Sequence, residues 1–367
     1  MPDMNYDRRI PRALRTALDG TLQPLVERRN ENPALIDLQH RRDTKDAAHS
    51  WVSLYVGLST VLDVHARDTD KSGETADFWL ATHATYRANS GFEAEWSQPM
   101  SSSRLSDQWK DVDRYLDRVT LAVKKQFTEQ EGLVHAAMCS SKPESYRAID
   151  REAAPAFRND ATKSRLIEQI GKPILEAVAA DDCKEDWWPS IRFASSPKRF
   201  GTSPDILAID KAGRLLVIEA KPSRATDGIT WGPAQLRFYA DLWAALLASN
   251  PSVKDNIASM LETRVSLGLA SPGQSTLAKP LRIVPILAIG AGRASRTAIK
   301  RAAMVQEAID AGAKNASPVA KPSSGFWIHR VNLRWCWPDA RTDPPRRARD
   351  RWKLRRARSI LRRTAAP

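Results

Sequence analysis

The sequence predicts an α/β domain with a mixed sheet, preceded by a mostly helical region and followed by a basic tail. Three observations lead there. Apolar residues recur at helical spacing through the first 150 residues. From about residue 155 helical patterns alternate with short strand patterns. The last 24 residues are dominated by arginine. At 367 residues the chain is long enough for more than one domain, and its 42% hydrophobic content supports a substantial core.

In the first region, 1–150, two segments carry the helical pattern. Ala47 to Ala66 places Trp51, Leu54, Tyr55, Leu58, Val61 and Leu62 on one helical face. Ser106 to Met138 does the same with Trp109, Val112, Leu116, Val119, Val123 and Phe127. The serine-rich stretch from Ser97 to Ser106 reads as the loop between them. Nothing in this region carries recognisable chemistry, and its histidines His49, His65 and His83 read as structural or surface residues.

The second region, 155–338, starts with a helical stripe over Ala161 to Ala180, which Pro173 should kink or divide. Strand patterns follow at Ser190 to Ser195, Asp205 to Asp210 and Arg214 to Ala220. Gly232-Pro233 opens a helix that runs to about Ser249, with proline at its favoured first position. Leu281 to Ile289 is a buried strand, Ser295 to Ala311 a helix, and Phe326 to Trp335 a last strand. Trp187, Trp188, Trp327, Trp335 and Trp337 read as core packing, with stacking on unpaired bases as the other use.

Net charge is +14, and Pro344 to Pro367 carries ten Lys/Arg against one acid, so the region 339–367 is the main electrostatic footprint. Arg346, Arg347, Arg349, Arg351, Arg355 and Arg356 are candidates for phosphate contact, making a nucleic acid the expected partner. Cys139, Cys183 and Cys336 are odd in number and far apart, which argues against a disulfide framework. No Cys-x-x-Cys pair and no paired histidine spacing points to zinc. With neither a signal-peptide pattern nor a membrane-length apolar run, the expected setting is the cytoplasm.

The chemistry sits in the hairpin. If Lys211-Ala212-Gly213 is a three-residue loop, Asp210 pairs with Arg214 and Asp205 lies across from Glu219. Opposed residues hold their Cβ atoms about 5 Å apart, close enough for two carboxylates to share a cation. Lys221, two residues beyond Glu219, points to the same face. The flanks Ile206, Leu207 and Leu215 to Ile218 imply a covered sheet, where two carboxylates are costly unless a divalent cation neutralises them. Magnesium suits such oxygens, and manganese can substitute.

Pro204-Asp205 followed by Glu219-Ala220-Lys221 resembles the PD-(D/E)xK nuclease superfamily, the restriction-endonuclease-like fold, over roughly residues 160–335. The resemblance implies a helix, three strands, a helix and a strand. It makes Asp205 and Glu219 metal ligands, adds the Ala220 carbonyl, and makes Lys221 the catalytic lysine. It also implies an acid from the preceding helix, for which Glu168 is the candidate and Glu176 the alternative. Gln235 and Tyr239, four apart on the next helix, are similar to the Gln-x-x-x-Tyr of the RecB-like branch. In that reading Gln235 joins the catalytic group and Tyr239 faces the nucleic acid. The implied function is magnesium-dependent hydrolysis of DNA phosphodiesters, in repair, recombination or defence against foreign DNA, and the superfamily allows a homodimer. The alternatives are a non-catalytic nucleic-acid-binding protein on the same fold, or an interaction protein whose helical half does the work.

Overall fold

The computed structural model describes residues 3–33, 35–43, 45–87, 90–126, 130–140, 145–179, 200–273, 277–290, 295–315, 327–331 and 361–362. The strand expected at Ser190 to Ser195, tryptophans 187, 188, 335 and 337, and the six candidate tail arginines lie outside them.

The N-terminal region is not mostly helical. After a short strand β1 (Met4–Asn5) and the helices α1 (Arg12–Asp19) and α2 (Gln23–Glu31), the chain forms a four-stranded antiparallel sheet. Its strands are β2 (Ile36–Arg42), β3 (His49–Val56), β4 (Ser59–Asp68) and β5 (Ala76–Ala81). The segment read as a helix over Ala47 to Ala66 is therefore the β3–β4 hairpin, turning at Gly57-Leu58 with Gly57 at φ +61°. The misreading has a physical cause. A register shift after Leu54 pairs Tyr55 with Thr60 and leaves Val61 as an extra residue beside Leu62. Two adjacent apolar residues then interrupt the period-two alternation and imitate helical spacing. Away from the bulge the alternation is plain. Val52, Leu54, Val64, Ala66, Phe78 and Leu80 are buried on one face, against α1, α2 and α4 (Ser102–Gln126).

Helix α3 (Ala84–Arg87) and a 3-10 turn at Ala94–Ser97 precede α4. The segment from Ser106 to Met138 is helical as expected, in two pieces, α4 and α5 (Gln130–Ser140). Then β6 (Tyr146–Arg151), which the sequence pattern did not reveal, enters the second sheet. Strand β7 (Ala156–Phe157) pairs with β1. Helix α6 (Asp160–Ala179) keeps Pro173 inside it and is not divided.

The second sheet has six strands in the order β12-β11-β10-β9-β8-β6, a mixed α/β arrangement. Strands β8 (Ile206–Asp210) and β9 (Leu215–Pro222) form the expected hairpin, and β10 (Ile283–Gly290) and β11 (Trp327–Val331) add in parallel. Strand β12 (Leu361–Arg362), from within the basic tail, pairs antiparallel with β11. Helix α7 (Thr226–Ser249) starts upstream of the expected Gly232-Pro233, so Pro233 lies inside it and costs one helical hydrogen bond. Gly232 has a packing role instead. A Cβ there would stand 2.6 Å from Cδ1 of Leu287 on β10, so only glycine lets the helix lie this close to the sheet. Helix α8 (Ser252–Ser266) follows, and α9 (Arg296–Asn315) lies between β10 and β11.

Both faces of this sheet are covered, which is why β8 and β9 read as continuous apolar runs. Leu207, Ile209, Leu215 and Val217 pack against α6, α7 and α9. Ile206, Ala208, Leu216 and Ile218 pack against Val134, Met138 and Cys139 of α5. The two sheets meet at Asp150 of β6, which is buried and paired with Arg8 (2.5 Å) and Arg41 (2.6 Å). Among the described residues no helix is long and apolar enough to cross a membrane.

Candidate metal centre

Turn chemistry sets the register of the hairpin. The Asp210 N–H donates to the Arg214 carbonyl at 3.1 Å, the Gly213 N–H donates to the Asp210 carbonyl at 3.0 Å, and Gly213 closes the turn at φ +73°. The three-residue loop is therefore the expected one. Ile206 opposes Ile218, and the pairing continues to Ile209 and Leu215. One step further along the same register sets Asp205 against Glu219.

Asp205 stands at the mouth of β8, where its Oδ2 accepts the Ala220 N–H at 2.7 Å. The same oxygen is 3.4 Å from Nε2 of His135 on α5. Glu219 is 2% exposed; its Oε1 is 2.6 Å from Nζ of Lys221, while its Oε2 is buried without a hydrogen-bond partner among the described residues. Lys221 also lies 3.5 Å from Oε1 of Glu131. Its stem passes Gly228 of α7, where a Cβ would meet Cδ at 3.0 Å. Hairpin, α5 and α7 thus converge at one end of the sheet.

The electrostatics follow from burial and crowding. Burial, then the neighbouring Asp205 charge, pushes the Glu219 carboxyl up to about 8, with Lys221 acting against both. Burial would also raise Asp205, but His135, Lys221 and the Ala220 N–H together outweigh it and hold Asp205 below the usual carboxylate range. Burial opposes the Lys221 ammonium, yet Glu219, Asp205 and Glu131 raise it above the ordinary lysine value. Two crowded carboxyls pushed apart in this way mark the cluster as a candidate functional site.

Glu131, His135 and Asp205 each offer a ligand atom, all within 4.8 Å of one another. Neither ring nitrogen of buried His135 has a well-formed hydrogen bond among the described residues, so the ring can present one to a metal. Carboxylate oxygens with one imidazole fit a divalent cation, and the nitrogen extends the choice beyond magnesium to manganese and its neighbours.

Of the residues singled out from sequence, Asp205, Glu219, Ala220 and Lys221 come together. Tyr239 is 4% exposed and packs in the core beside Phe238, so it does not face outward toward nucleic acid as expected; burial, then the Glu219 and Asp205 charges, raises its hydroxyl. Gln235 is half-buried one turn earlier. Glu168 and Glu176 are exposed on α6, and Glu176 is paired with Lys172 instead. The structure brings neither to the site. Glu131 and His135 were missed, although their four-residue spacing puts both on one helical face. They were missed because β6 was unseen, so nothing linked α5 to the second sheet.

No protein-family model, curated protein or solved structure matches the chain.

Proposed function

We propose that this chain is a metal-dependent nuclease of the PD-(D/E)xK type, hydrolysing DNA phosphodiesters on a restriction-endonuclease-like core. The observation that carries the reading is the convergence of Asp205, Glu219 and Lys221 with Glu131 and His135 at one end of a covered sheet. Order along the chain supports it too. Helix α5, strands β6, β8 and β9, helix α7 and strand β10 occur in the order the resemblance implies, with β7 and α6 inserted after β6 and α8 inserted after α7. In this alignment the acid-bearing helix is α5, and Glu131 takes the place first sought at Glu168.

Each side chain then has a task. Asp205, Glu219 and the Ala220 carbonyl hold a magnesium or manganese ion, with Glu131 and His135 completing the donor set. Such an ion, when bound, acidifies a coordinated water and neutralises phosphoryl charge. Lys221 stays an ammonium because its neighbours raise it. As an ammonium it can orient the attacking water or hold the scissile phosphate. The arginine tail supplies sequence-independent phosphate contacts.

The test is incubation of single- and double-stranded DNA with the full chain in magnesium, manganese or EDTA, beside Asp205→Ala. Cleavage that needs the metal and Asp205 is expected. Salt-sensitive binding with no cleavage in any metal would leave a non-catalytic nucleic-acid-binding protein.

A further inference from the structure

A pair of imidazoles lies on the four-stranded sheet, on the face opposite to α1, α2 and α4. Cross-strand register puts Trp51 of β3, His65 of β4 and Trp79 of β5 in one row. His49 enters from the adjacent row of β3, facing the same side. Its Nε2 is 3.0 Å from Nδ1 of His65, with ring centroids 5.2 Å apart and planes 20° from parallel. On its other side, Nδ1 of His49 is 3.3 Å from Oδ2 of Asp43. Trp51 lies 5.3 and 5.5 Å from the two imidazoles, and Trp79 lies 5.2 and 5.1 Å from them. All four rings are half-buried.

We propose that His49 and His65 form a two-imidazole site for a borderline divalent transition cation of the zinc, copper or nickel kind, with Asp43 orienting His49. Three features carry this. Metal–nitrogen bonds of about 2.0–2.1 Å at adjacent coordination positions need nitrogens roughly 2.9–3.4 Å apart, and this pair is 3.0 Å apart. A ligating histidine typically gives its other N–H to a carboxylate, which fixes the tautomer and aims the free lone pair. Asp43 stands in that position, so Nε2 of His49 is left to bind. The flanking indoles restrict both rings to nearly one orientation, which reduces the ordering cost of binding.

The donor chemistry separates this site from the carboxylate centre. Two imidazoles and no ligating carboxylate favour zinc, copper or nickel over magnesium or calcium. Water completes the coordination, and the ion straps β3 to β4. The competing arrangement is a plain imidazole–imidazole hydrogen bond that takes up no metal.

The experiment is a Cu2+ titration of the full chain carrying Asp205→Asn and His135→Gln, which takes the imidazole and one carboxylate from the other cluster. Tryptophan fluorescence and copper electron paramagnetic resonance are the readouts. One Cu2+ per chain should quench part of the emission at micromolar concentration, with a spectrum showing two nitrogen donors, and excess Mg2+ should leave both signals unchanged. His49→Gln and His65→Gln should each weaken binding at least tenfold. Trp51→Phe with Trp79→Phe should keep the resonance signal while losing most of the quenching. Absence of uptake, a spectrum without two nitrogens, or unchanged affinity in both histidine variants would overturn the proposal. The spectrum is taken with His49 and His65 intact, so it does not depend on how the His49 and His65 variants fold, and its two-nitrogen signal should recur in the wild-type chain.

Discussion

Oδ2 of Asp205 accepts the Ala220 N–H at 2.7 Å and stands 3.4 Å from Nε2 of His135, so one carboxylate oxygen ties the β8–β9 hairpin to α5. The Asp205–His135 contact places the buried His135 at the candidate site. His135→Gln should raise the metal concentration needed for half-maximal cleavage by about 10–100-fold, the usual effect of disturbing a metal's surroundings. Metal titration of the cleavage rate checks it, and a wild-type requirement would remove His135 from the site.

The choice of helix acid is separable in the same assay. Glu131→Gln removes a donor and the 3.5 Å contact to Lys221, and should lower activity at least tenfold. Glu168→Gln alters an exposed side chain on α6 and should leave activity within about twofold.

Gly228→Ala should divide stability from activity. Alanine is favoured over glycine in a helix by about 0.5–1 kcal/mol, so the melting temperature should hold or rise. Its Cβ would lie 3.0 Å from Cδ of Lys221, however, and the lysine must shift to accept it. A several-fold fall in turnover without loss of stability is expected. Unchanged turnover would show that the position of Lys221 is not critical.

Glu219 gives the metal-free protein a pH dependence of definite sign. Its carboxyl is raised in the fold, up to about 8, so between the ordinary glutamate range and that value the folded chain binds the proton that the unfolded chain releases. This contribution to stability is fully present at low pH and is lost as pH rises through about 8. Melting in EDTA should therefore show a lower midpoint at pH 9 than at pH 6, and Glu219→Gln should flatten the difference. The same variant should lose the metal-induced rise in melting temperature that the wild type shows.

Much of the candidate site was legible because it is local. Three-residue turn geometry and strand alternation were enough to bring Asp205, Glu219 and Lys221 together, and Gly213 supplies the left-handed residue that the turn requires. What failed was long-range or masked by irregularity. The bulge at Val61 disguised a hairpin as a helix. Strand β6 pairs with β8 across more than fifty residues, and no local pattern announces such a pairing. Without β6, helix α5 had no visible reason to approach Asp205, and Glu168 of the helix nearest in sequence was taken in place of Glu131.

Hydrolysis of phosphodiesters by Lys221 and its carboxylates is the proposed chemistry of this site. Single-turnover cleavage of end-labelled DNA in Mn2+, comparing wild type with Lys221→Ala at matched DNA binding, tests it most directly. The expected result is metal-dependent cleavage by the wild type and a loss of roughly 100-fold or more in the variant. Cleavage at the same rate by both proteins, or by neither while both bind the DNA, would show that Lys221 does not serve phosphodiester hydrolysis.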